Sequence, residues 1–449
     1  MPKNIIKFID LFSGMGGIRL GFEQAFQEAG YETKCVLTSE IKDSAIKALA
    51  RNFPNETVLG DVTKINTDDI PEFDFLLAGF PCQAFSVAGK QRGFADTRGT
   101  LFFDVERILR AKQPYGFILE NVEGLVTHDK EQPSDKIGRT LATILQSLDT
   151  MGYYVAWRVL DAQNFGLAQC RNRIYIIGTK KKRPSLDDFP ITKATFGSVM
   201  EKGLETIDNE FSRRLFSRYT VDELYGKSIK DKRGGNNNIH SWDLGIKGEV
   251  TEDEKKLLNQ LLKERRKKHW AEVIGIDWMD GMPLTIEQIQ TFFNRDNLQD
   301  MLDRLVDMGY LVYEYPKKKV IKETEAHTRT FYERIPDTTK PRGYNIVAGK
   351  LSFEFSRILN PADTTPTMVA MDMDTIGVID GGGIRNLTLR EGLRLFGYPS
   401  SYSLEDFEAT DKEKRRGFDL LGNTVCVPVI KAVAERLEKI YTESGGRLK

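Results

Sequence analysis

The stretch "FIDLFSGMGG", residues 8–17, decides the fold of this chain. Its apolar half continues a run that begins at Ile5, and its second half brings three glycines before an amphipathic segment. Glycines allow the tight turn and close approach with which a strand passes into a helix. A glycine-rich turn alone is weak evidence for a ligand, because such turns also serve only to relieve crowding. We therefore predict a strand, a turn and a helix here.

The first 180 residues repeat this unit. Strands are predicted at 5–12, 32–38, 73–78, 116–120, 154–160 and 174–178, and helices at 17–28, 42–52, 101–112 and 139–151. A third strand is expected just before "GDVT" at residues 60–63. Strands that alternate with helices indicate a doubly wound α/β sheet.

The chain changes character near residue 180. From about 184 to 355 it is polar and rich in Lys, Arg and Asn, and after 355 the α/β pattern returns. We predict that 184–355 is a smaller domain inserted between residues 1–183 and 356–449. Within it, Thr251 is the expected N-cap of a helix over 251–271. A helix, turn, helix and strand pair follow, and the order resembles a winged helix over about 251–322.

Composition narrows the class of protein. The chain has 449 residues, with 65 Lys and Arg against 65 Asp and Glu, so net charge argues neither for nor against a polyanionic partner. Its four cysteines form no CxxC pair, which disfavours a disulfide framework or a thiolate metal site. No apolar run approaches the ~20 residues of a membrane span. We expect a cytoplasmic protein without a metal site.

Two acidic residues follow the strands beside the glycine turn. Glu40 comes at the end of the second strand, where a carboxylate can hold both ribose hydroxyls of a nucleotide. Asp61 follows the third strand and is placed to accept from an adenine amino group. No basic residue is ready for a pyrophosphate. The pattern therefore favours a nucleoside with an uncharged or positive tail, such as S-adenosylmethionine, over NAD.

Three further segments carry reactive side chains at predicted strand ends. "GFPCQAFSVAG" (79–89) places Cys82 after Pro81, whose ring stiffens the turn and gives the thiol a defined direction. "FILENVEG" (117–124) ends a strand in Glu120, and "FGLAQCRNRIYIIG" (165–178) opens one with alternating Arg171 and Arg173. Each alone has an ordinary explanation: a buried structural cysteine, a solvated carboxylate, or salt-bridged arginines.

Together these blocks identify a resemblance. The chain resembles a DNA (cytosine-5)-methyltransferase of the bacterial restriction-modification type. The matching blocks lie outside the middle segment, and they are "DLFSGMGG", Glu40, "GDVT", "GFPCQAFSVAG", "ENV", "QCRNRIYIIG", "RILNPADTTPTMVA", "GYP" and "GNTVCVPVI". The resemblance implies a Rossmann-like S-adenosylmethionine-dependent methyltransferase sheet with an inserted target-recognition domain.

The resemblance also implies residue roles. The Cys82 thiolate would add to C6 of cytosine, Glu120 would protonate or hydrogen-bond ring N3, and Arg171 would contact the O2 side. Arg173 and Gln169 would support the neighbouring loop and backbone. Phe12 would stack on the adenine. The other residues implied at the cofactor are Ser13, Gly14, Met15, Gly17, Glu40, Ile41, Asp61, Val62, Pro81, Asn423 and Val425. Ile41 departs from the aromatic residue that relatives often carry, which puts cofactor affinity in doubt.

Duplex DNA is the implied partner, because the target cytosine must be flipped out of the stack. The loop 86–100 could close over it, and the inserted domain would read bases. Residues implied at the DNA are Ser86, Lys90, Gln91, Arg92, Arg98, Gln169, Arg342, Lys350 and Arg357. The run "KERRKKHW" (263–270) has five basic residues against one acid and suits phosphates or a solvated helix face equally. We expect a monomer that protects host DNA beside a restriction endonuclease.

Three rival functions remain open at this point. A tRNA cytosine-5 methyltransferase uses the same order of blocks, although the large insert argues against it. A non-catalytic DNA-binding relative would be expected to lack Cys82, Glu120 or the glycine turn, and all three are present. A Cys–His hydrolase is disfavoured because no histidine falls in a strand-end block that would pair with Cys82.

Overall fold

The computed structural model describes residues 5–81, 101–231, 237–322, 331–347, 353–370 and 372–446. The chain forms two units. Unit 1 comprises Met1–Glu201, Asn360–Asp374 and Leu387–Lys449, and unit 2 comprises Lys202–Leu359 and Thr375–Asn386.

The elements are numbered in chain order. The described strands are β1 (Ile5–Leu11), β2 (Glu32–Ser39), β3 (Val58–Leu59), β4 (Phe75–Gly79), β5 (Gly116–Val122), β6 (Tyr154–Asp161), β7 (Asn172–Thr179), β8 (Ser228–Ile229), β9 (Asn238–Ile239), β10 (Leu311–Glu314), β11 (Lys317–Lys322), β12 (Phe331–Pro336), β13 (Gly343–Ile346), β14 (Arg357–Ile358), β15 (Ile376–Asp380) and β16 (Gly383–Asn386). The described α-helices are α1 (Gly17–Glu28), α2 (Asp43–Asn52), α3 (Leu101–Lys112), α4 (Arg139–Thr150), α5 (Glu210–Arg218), α6 (Val221–Leu224), α7 (Glu252–Glu264), α8 (Lys268–Ile274), α9 (Ile286–Gln290), α10 (Leu298–Asp307), α11 (Leu389–Leu395), α12 (Asp411–Asn423) and α13 (Val427–Glu443).

Unit 1 is built on one large sheet. Its described strands run in the order β3-β2-β1-β4-β5-β7-β6, and β7 is antiparallel to both neighbours, whereas the remaining pairs are parallel. The predicted doubly wound α/β sheet is confirmed. Predicted strands and helices fall within two residues of the observed ends, because buried runs between turn residues define them locally.

The register brings the predicted site residues to one edge of this sheet. Leu11 pairs with Ser39, and Ser39 pairs with Leu59, so Phe12, Glu40 and Gly60 leave three adjacent strands together. On the other side of β1, β4 pairs with β5, and Gly79 lies opposite Glu120. Ligands bind beyond the carboxyl ends of parallel strands where the strand order reverses, which here is between β1 and β4.

The insert begins and ends later in the structure than the predicted 184–355. Residues between 184 and 201 bond within unit 1: Gly197 N–H donates to the Pro361 carbonyl, and Glu201 N–H donates to the Glu391 carboxylate. Unit 2 also takes 375–386, because β15 and β16 complete a sheet whose described order is β16-β15-β14-β8-β9. β15 pairs with β14, and Arg357 of β14 pairs across the insert with Ser228 of β8, which local pattern does not reveal.

The predicted helix over 251–271 is two helices. Thr251 caps α7 as expected, in a capping box with Glu254. The chain then breaks at Arg265, which is buried and donates from its guanidinium to Asn345 Oδ1 at 2.7 Å. Position 265 continues the buried face of Leu258 and Leu261, and Arg265 is the C-cap of α7. The chain begins a new helix, α8, at Lys268.

One hydrophobic core of unit 2 is formed largely by buried side chains of α7 to α10 and β13. After α7 and α8, Leu284 bridges to Tyr344 of β13, then come α9, α10 and β10, and β10 pairs with β13. The antiparallel pair β11–β12 lies between β10 and β13 in sequence. This is the element order of a winged helix, with α10 in the place of the recognition helix and β11–β12 as the wing.

Helix α13 is packed into unit 1 against α1. An 18-residue window within Asp411–Glu443, the stretch of α12 and α13, is apolar enough by composition to cross a membrane, with a mean hydropathy of 1.3. Of that window, 67% is buried inside the protein. At the α1–α13 contact a Cβ on Gly21 would lie 2.6 Å from Ile430 Cβ and 2.7 Å from the Val427 carbonyl oxygen. The Val427 carbonyl and the branched Ile430 side chain therefore leave no room for a side chain at position 21.

Gly21→Ala is expected to lower the free energy of unfolding by about 1–3 kcal/mol, because the added methyl overpacks this contact. The gain in helix propensity of about 1 kcal/mol opposes the loss and is included in that range. Urea unfolding measures it. Gly60→Ala is the control, since a Cβ on Gly60 meets nothing within 4 Å. A Gly21→Ala protein as stable as the control would show that α1 and α13 pack less closely.

Candidate active site

The glycine turn after β1 leaves its backbone open to a ligand. Gly14 and Gly16 have φ of 54° and 77°, in the left-handed region that glycine enters without strain. Ser13 closes the turn onto β2, because its N–H donates to the Ser39 carbonyl at 3.1 Å. A Cβ on Gly14 would meet nothing within 4 Å. The turn is therefore fixed from behind and accessible in front.

Acidic and apolar side chains surround this opening. Glu40 Oε2 accepts from Gly14 N–H at 2.7 Å, and its Oε1 accepts from Ile41 N–H and Lys42 N–H at 2.8 Å each. The side chain of Ile41 is 69% exposed. Asp61 accepts from the Thr63 hydroxyl and from Thr63 N–H, and these two hydrogen bonds hold the pKa of Asp61 below its usual range. Carboxylates and an exposed apolar wall suit a nucleoside and disfavour a pyrophosphate.

Phe12 stands at the entrance of the turn. Its φ is 54°, an uncommon value for an aromatic residue, and strain of this kind collects at ligand sites. The ring is half-buried against the main core. Met15 and Val62 are buried behind the opening and shape it from within.

The returning C-terminal segment packs on the same turn. A Cβ on Gly17 would lie 2.8 Å from Val425 Cγ2 and 3.1 Å from Thr424 Oγ1. Tyr402 donates from its hydroxyl to the Met15 carbonyl at 2.7 Å. Val425 and Thr424 therefore pack against the first residue of α1. Asn423 is exposed, and its amide donates to the Asp419 carbonyl.

Glu120 and Arg173 form a buried ion pair on neighbouring strands. Arg173 Nε lies 3.2 Å from Glu120 Oε1. Burial raises the pKa of Glu120, although Arg173 and Arg171 oppose the shift. A carboxyl group with a raised pKa retains a proton that it can donate.

Arg171 is engaged elsewhere. Its guanidinium donates to the carbonyl oxygens of Met368 at 2.9 Å, Gly422 at 3.0 Å and Thr424 at 2.8 Å. Burial lowers its pKa to about 10. The sequence prediction that Arg171 reaches the reacting ring needs correction on this geometry, because its terminal nitrogens already hold the returning chain. Arg173 is the arginine beside Glu120.

Gln169 is also internal. Its side chain is fully buried, with Nε2 donating to the Leu395 carbonyl at 3.2 Å and Oε1 accepting from Met368 N–H at 3.1 Å. A side chain without exposed surface does not reach an external duplex. The structure therefore gives Gln169 a packing role in place of the predicted DNA contact.

The chain that leads to Cys82 is anchored by Asn121. Its Nδ2 donates to the Phe80 carbonyl at 3.0 Å, and the Phe80 ring is buried in the core. Pro81 follows, half-buried, at the end of the described segment. Cys82 itself lies outside the described residues, as do Ser86, Lys90, Gln91, Arg92, Arg98 and Lys350.

The chain matches the family model "C-5 cytosine-specific DNA methylase" over residues 6–439. It is 59% identical over 432 residues to Type II methyltransferase M.NlaIV of Neisseria lactamica, an alignment that covers 96% of this chain and 98% of the relative. Type II methyltransferase M.NgoBV of Neisseria gonorrhoeae is 57% identical with the same coverage. This chain belongs to the C-5 cytosine-specific DNA methylases.

Solved structures agree on the fold. The Entamoeba histolytica methyltransferase EhMeth superposes with a TM-score of 0.52 at 14% identity, covering 98% of this chain and 99% of that one. At that identity the likeness speaks for the fold alone. The methyl donor of this methylase is S-adenosylmethionine, which the glycine turn, Glu40, Ile41 and Asp61 fit.

The methylase has two clefts of note among its described residues. One of about 290 Å³ opens beside the Glu120–Arg173 pair and is lined by Val122, Glu123, Gly124, Asp161, Cys170, Asn172, Arg173 and Thr367. A larger one of about 750 Å³ lies by α2 and residues 399–406 and includes none of the predicted site residues. The smaller cleft is therefore the one next to the predicted site residues.

Sequence reasoning missed several positioning residues of the methylase. Asn121 lies within the "ENV" block but has no role in the sequence prediction, and Asp161, which accepts from Arg171 N–H at 3.0 Å, was not predicted at all. The sequence carries no signal for Asp161 beyond its place at a strand end. The three described cysteines, Cys35, Cys170 and Cys426, have pKa values raised by burial, so none of them is an activated thiolate.

Two residues of unit 2 were predicted to contact DNA and are described. Arg342 is exposed, and its guanidinium lies 4.5 Å from the Tyr313 ring centroid. Arg357 is half-buried in β14, the central strand of its sheet. The run 263–270 is not a simple solvated face either, since Arg265 is buried and Arg266 pairs with Asp280.

Arg171→Met is expected to lower the free energy of unfolding by about 3–5 kcal/mol, because three buried carbonyl groups lose a charged donor. Arg173→Met removes one ion pair and is expected to cost clearly less. Denaturant unfolding of both variants measures the difference. Equal losses would contradict the different roles of the two arginines.

A second prediction concerns Asp10, in β1. Neither of its carboxylate oxygens has a hydrogen-bond partner among the described residues, and burial raises its pKa to about 8 despite Arg19 nearby. The folded chain therefore holds this proton more tightly than the unfolded chain. Its stabilising effect is complete below about pH 4 and is lost as the pH rises towards 8.

Asp10→Asn cannot ionise, so its stability relative to the unsubstituted protein should improve by about 1 kcal/mol per pH unit between pH 5 and 7. Urea unfolding at pH 5, 6 and 7 checks this. Asp69→Asn, at an exposed position, serves as the control. A difference that does not change with pH would show that Asp10 is ionised in the folded protein.

Proposed function

We propose that this methylase transfers a methyl group to C5 of one cytosine in a short duplex motif, with Cys82 as nucleophile and the Glu120–Arg173 pair as the electrostatic partner of the ring. The observation that carries the proposal is the buried Glu120 carboxyl, which has a raised pKa and an arginine at 3.2 Å. A group that donates a proton and a fixed cation are what addition to cytosine requires.

The proposal assigns residues of this chain to the steps. The Cys82 thiolate bonds to C6, and the electron pair displaced from the C5–C6 bond moves towards N3, where Glu120 donates its proton. Arg173 stabilises negative charge on the O2 side of the ring. When bound, S-adenosylmethionine would supply the methyl group to C5 as its sulfonium S–CH3 bond breaks, which leaves S-adenosylhomocysteine. The N3 proton then returns to Glu120 and the C5 proton passes to solvent, while its electron pair restores the C5–C6 double bond as the C6–S bond breaks and the thiolate leaves.

Arg171 and Gln169 act through position. Arg171 holds the carbonyls of Met368, Gly422 and Thr424, and therefore keeps Val425 against the cofactor turn. Gln169 ties the same return segment at Met368. Asn121 fixes the carbonyl two residues before Cys82, which directs the nucleophile.

Unit 2 serves in this proposal as the target-recognition domain. Arg342, Arg357 and Lys350 supply DNA contacts there, and Ser86, Lys90, Gln91, Arg92 and Arg98 do so next to Cys82. The relatives named above are Type II methyltransferases. By that likeness the chain protects bacterial DNA in the cytoplasm beside a cognate endonuclease, and it acts as a monomer on a base flipped from the duplex.

The test is transfer of labelled methyl from S-adenosylmethionine to unmethylated duplex DNA and to tRNA, followed by bisulfite sequencing of the DNA. The expected product is C5-methylated cytosine in one short motif. Label confined to tRNA would move the activity to RNA, and label in neither would make the chain a binding protein.

Cys82→Ala should abolish transfer, and Glu120→Gln should slow it by about 10²–10⁴-fold, the usual contribution of a general acid. Single-turnover rates measure both effects. Cys35→Ala and Glu131→Gln are the matched controls: the Cys35 thiol is half-buried, with its pKa raised by burial to about 12, and Glu131 is exposed. Undiminished transfer by Cys82→Ala would overturn the assignment of the nucleophile.

A further inference from the structure

Charge is unevenly distributed over the winged-helix module, residues 251–346 of unit 2. The exposed surface of α10 carries Asp300, Asp303 and Asp307. The helix has one cation, Arg304, and its guanidinium is paired with the carboxylate of Glu254 on α7. The helix that occupies the recognition position therefore presents net negative charge.

The wing carries the opposite charge. In β11 and β12, Lys319 lies directly opposite Arg334, and Lys317 falls on the same face two residues away. We call these three residues the wing face. Lys318 alternates to the other face and lies 3.3 Å from Asp337.

The cations of the wing face are weakly compensated. Lys317 lies 3.6 Å from Glu314, and Lys319 lies 3.8 Å from Asp277, both at partly exposed positions. Among the described residues Arg334 has no hydrogen-bond or ion-pair partner. Like charges held directly opposite each other in a strand pair are destabilising. An arrangement that costs stability, and in which two cations have only long, partly exposed ion pairs, suits a polyanion.

Aromatic side chains lie next to the wing. Tyr313 in β10 is 39% exposed and carries the Arg342 guanidinium over its ring. Trp278 is 43% exposed and follows Asp277, the residue that Lys319 approaches. Exposed aromatic and cationic groups together are common at nucleic-acid surfaces.

We propose that the winged-helix module holds duplex DNA by its wing face on the phosphate backbone, and that α10 does not enter the major groove. The inference rests on the proposed function of unit 2 as the DNA-recognition part. In a helix-turn-helix the second helix lies in the major groove between two phosphate chains. Three exposed carboxylates there would face phosphates of the same sign, whereas the wing face meets them with the opposite sign.

Such an interaction adds affinity without reading sequence, since bonds to phosphates carry no base information. It also releases counterions, so it is recognised by its dependence on salt. Base reading is then left to the rest of unit 2.

The experiment uses the full chain, with Lys317→Gln, Lys319→Gln and Arg334→Gln combined. Fluorescence anisotropy over a series of KCl concentrations measures binding to two duplexes. One contains the motif that the protein methylates, and the other lacks it. The slope of log K against log salt is expected to become shallower by about 2.7, because each neutralised phosphate contributes ~0.9 to it. Both duplexes should weaken by the same factor.

Two controls isolate the wing face. Lys318→Gln removes a cation from the same strand on the opposite face and should leave the slope unchanged. The variant that combines Asp300→Asn, Asp303→Asn and Asp307→Asn should methylate the same motif as the unsubstituted protein. It should also keep the same ratio of affinities for that motif and for other sequences. If the combined wing variant is poorly folded, the single variant Arg334→Gln, expected to reduce the slope by about 0.9, replaces it.

An unchanged slope in the wing variant would overturn the proposal, and so would a changed motif in the α10 variant. The proposed function is tested separately, because it fails only if the unsubstituted protein does not methylate DNA. A protein that methylates its motif and keeps its salt slope without the wing cations would retain the function and contradict this inference.

Discussion

The buried guanidinium of Arg171 is the constraint on which the architecture of unit 1 depends. It bonds to carbonyl groups 197, 251 and 253 residues away along the chain. These bonds bring the segment after the insert back to the sheet that the first 180 residues build. Arg171 bonds to the Thr424 carbonyl, and the next residue, Val425, packs against Gly17 at the glycine turn. One charged group therefore holds the returning chain next to this turn.

Desolvation then determines what the acidic groups of unit 1 can do. Burial raises the pKa of Glu120, and Arg173 and Arg171 compensate only part of that shift. Burial also raises the pKa of Cys426 to about 12, so this thiol is not an activated thiolate. Desolvation therefore favours the protonated form of both groups, although Glu120 lies in β5 and Cys426 caps α13.

Much of unit 1 could be predicted because its signals are local. The turn at Gly14–Gly17, the strand that precedes Glu40 and the strand that contains Glu120 can be predicted from runs of a few residues. The different contacts of Arg171 and Arg173 could not be predicted from such short runs. Alternation places both on the same side of β7, but only the returning chain determines which guanidinium meets carbonyl groups and which meets Glu120.

In the insert, too, only the features that depend on local sequence could be predicted. The Thr251 cap and the helix-turn-helix pattern were visible, since capping and amphipathic spacing are local. The end of α7 at Arg265 was not, and the Asn345 amide that Arg265 meets lies 80 residues away. Likewise β15 and β16 belong to unit 2 because they extend β14, and β14 pairs with β8 at Ser228. Sequence separation, more than chemistry, divided what was predictable from what was not.

The net charge of this protein does not describe how its charges are distributed. With 65 basic and 65 acidic residues the chain is neutral overall, so attraction to a polyanion has to come from where the charges lie. In the winged-helix module α10 exposes three carboxylates, and the wing face sets Lys319 against Arg334. A neutral protein that collects cations on a few surfaces can hold DNA and still release it when salt competes, which a methylase that visits many sites requires.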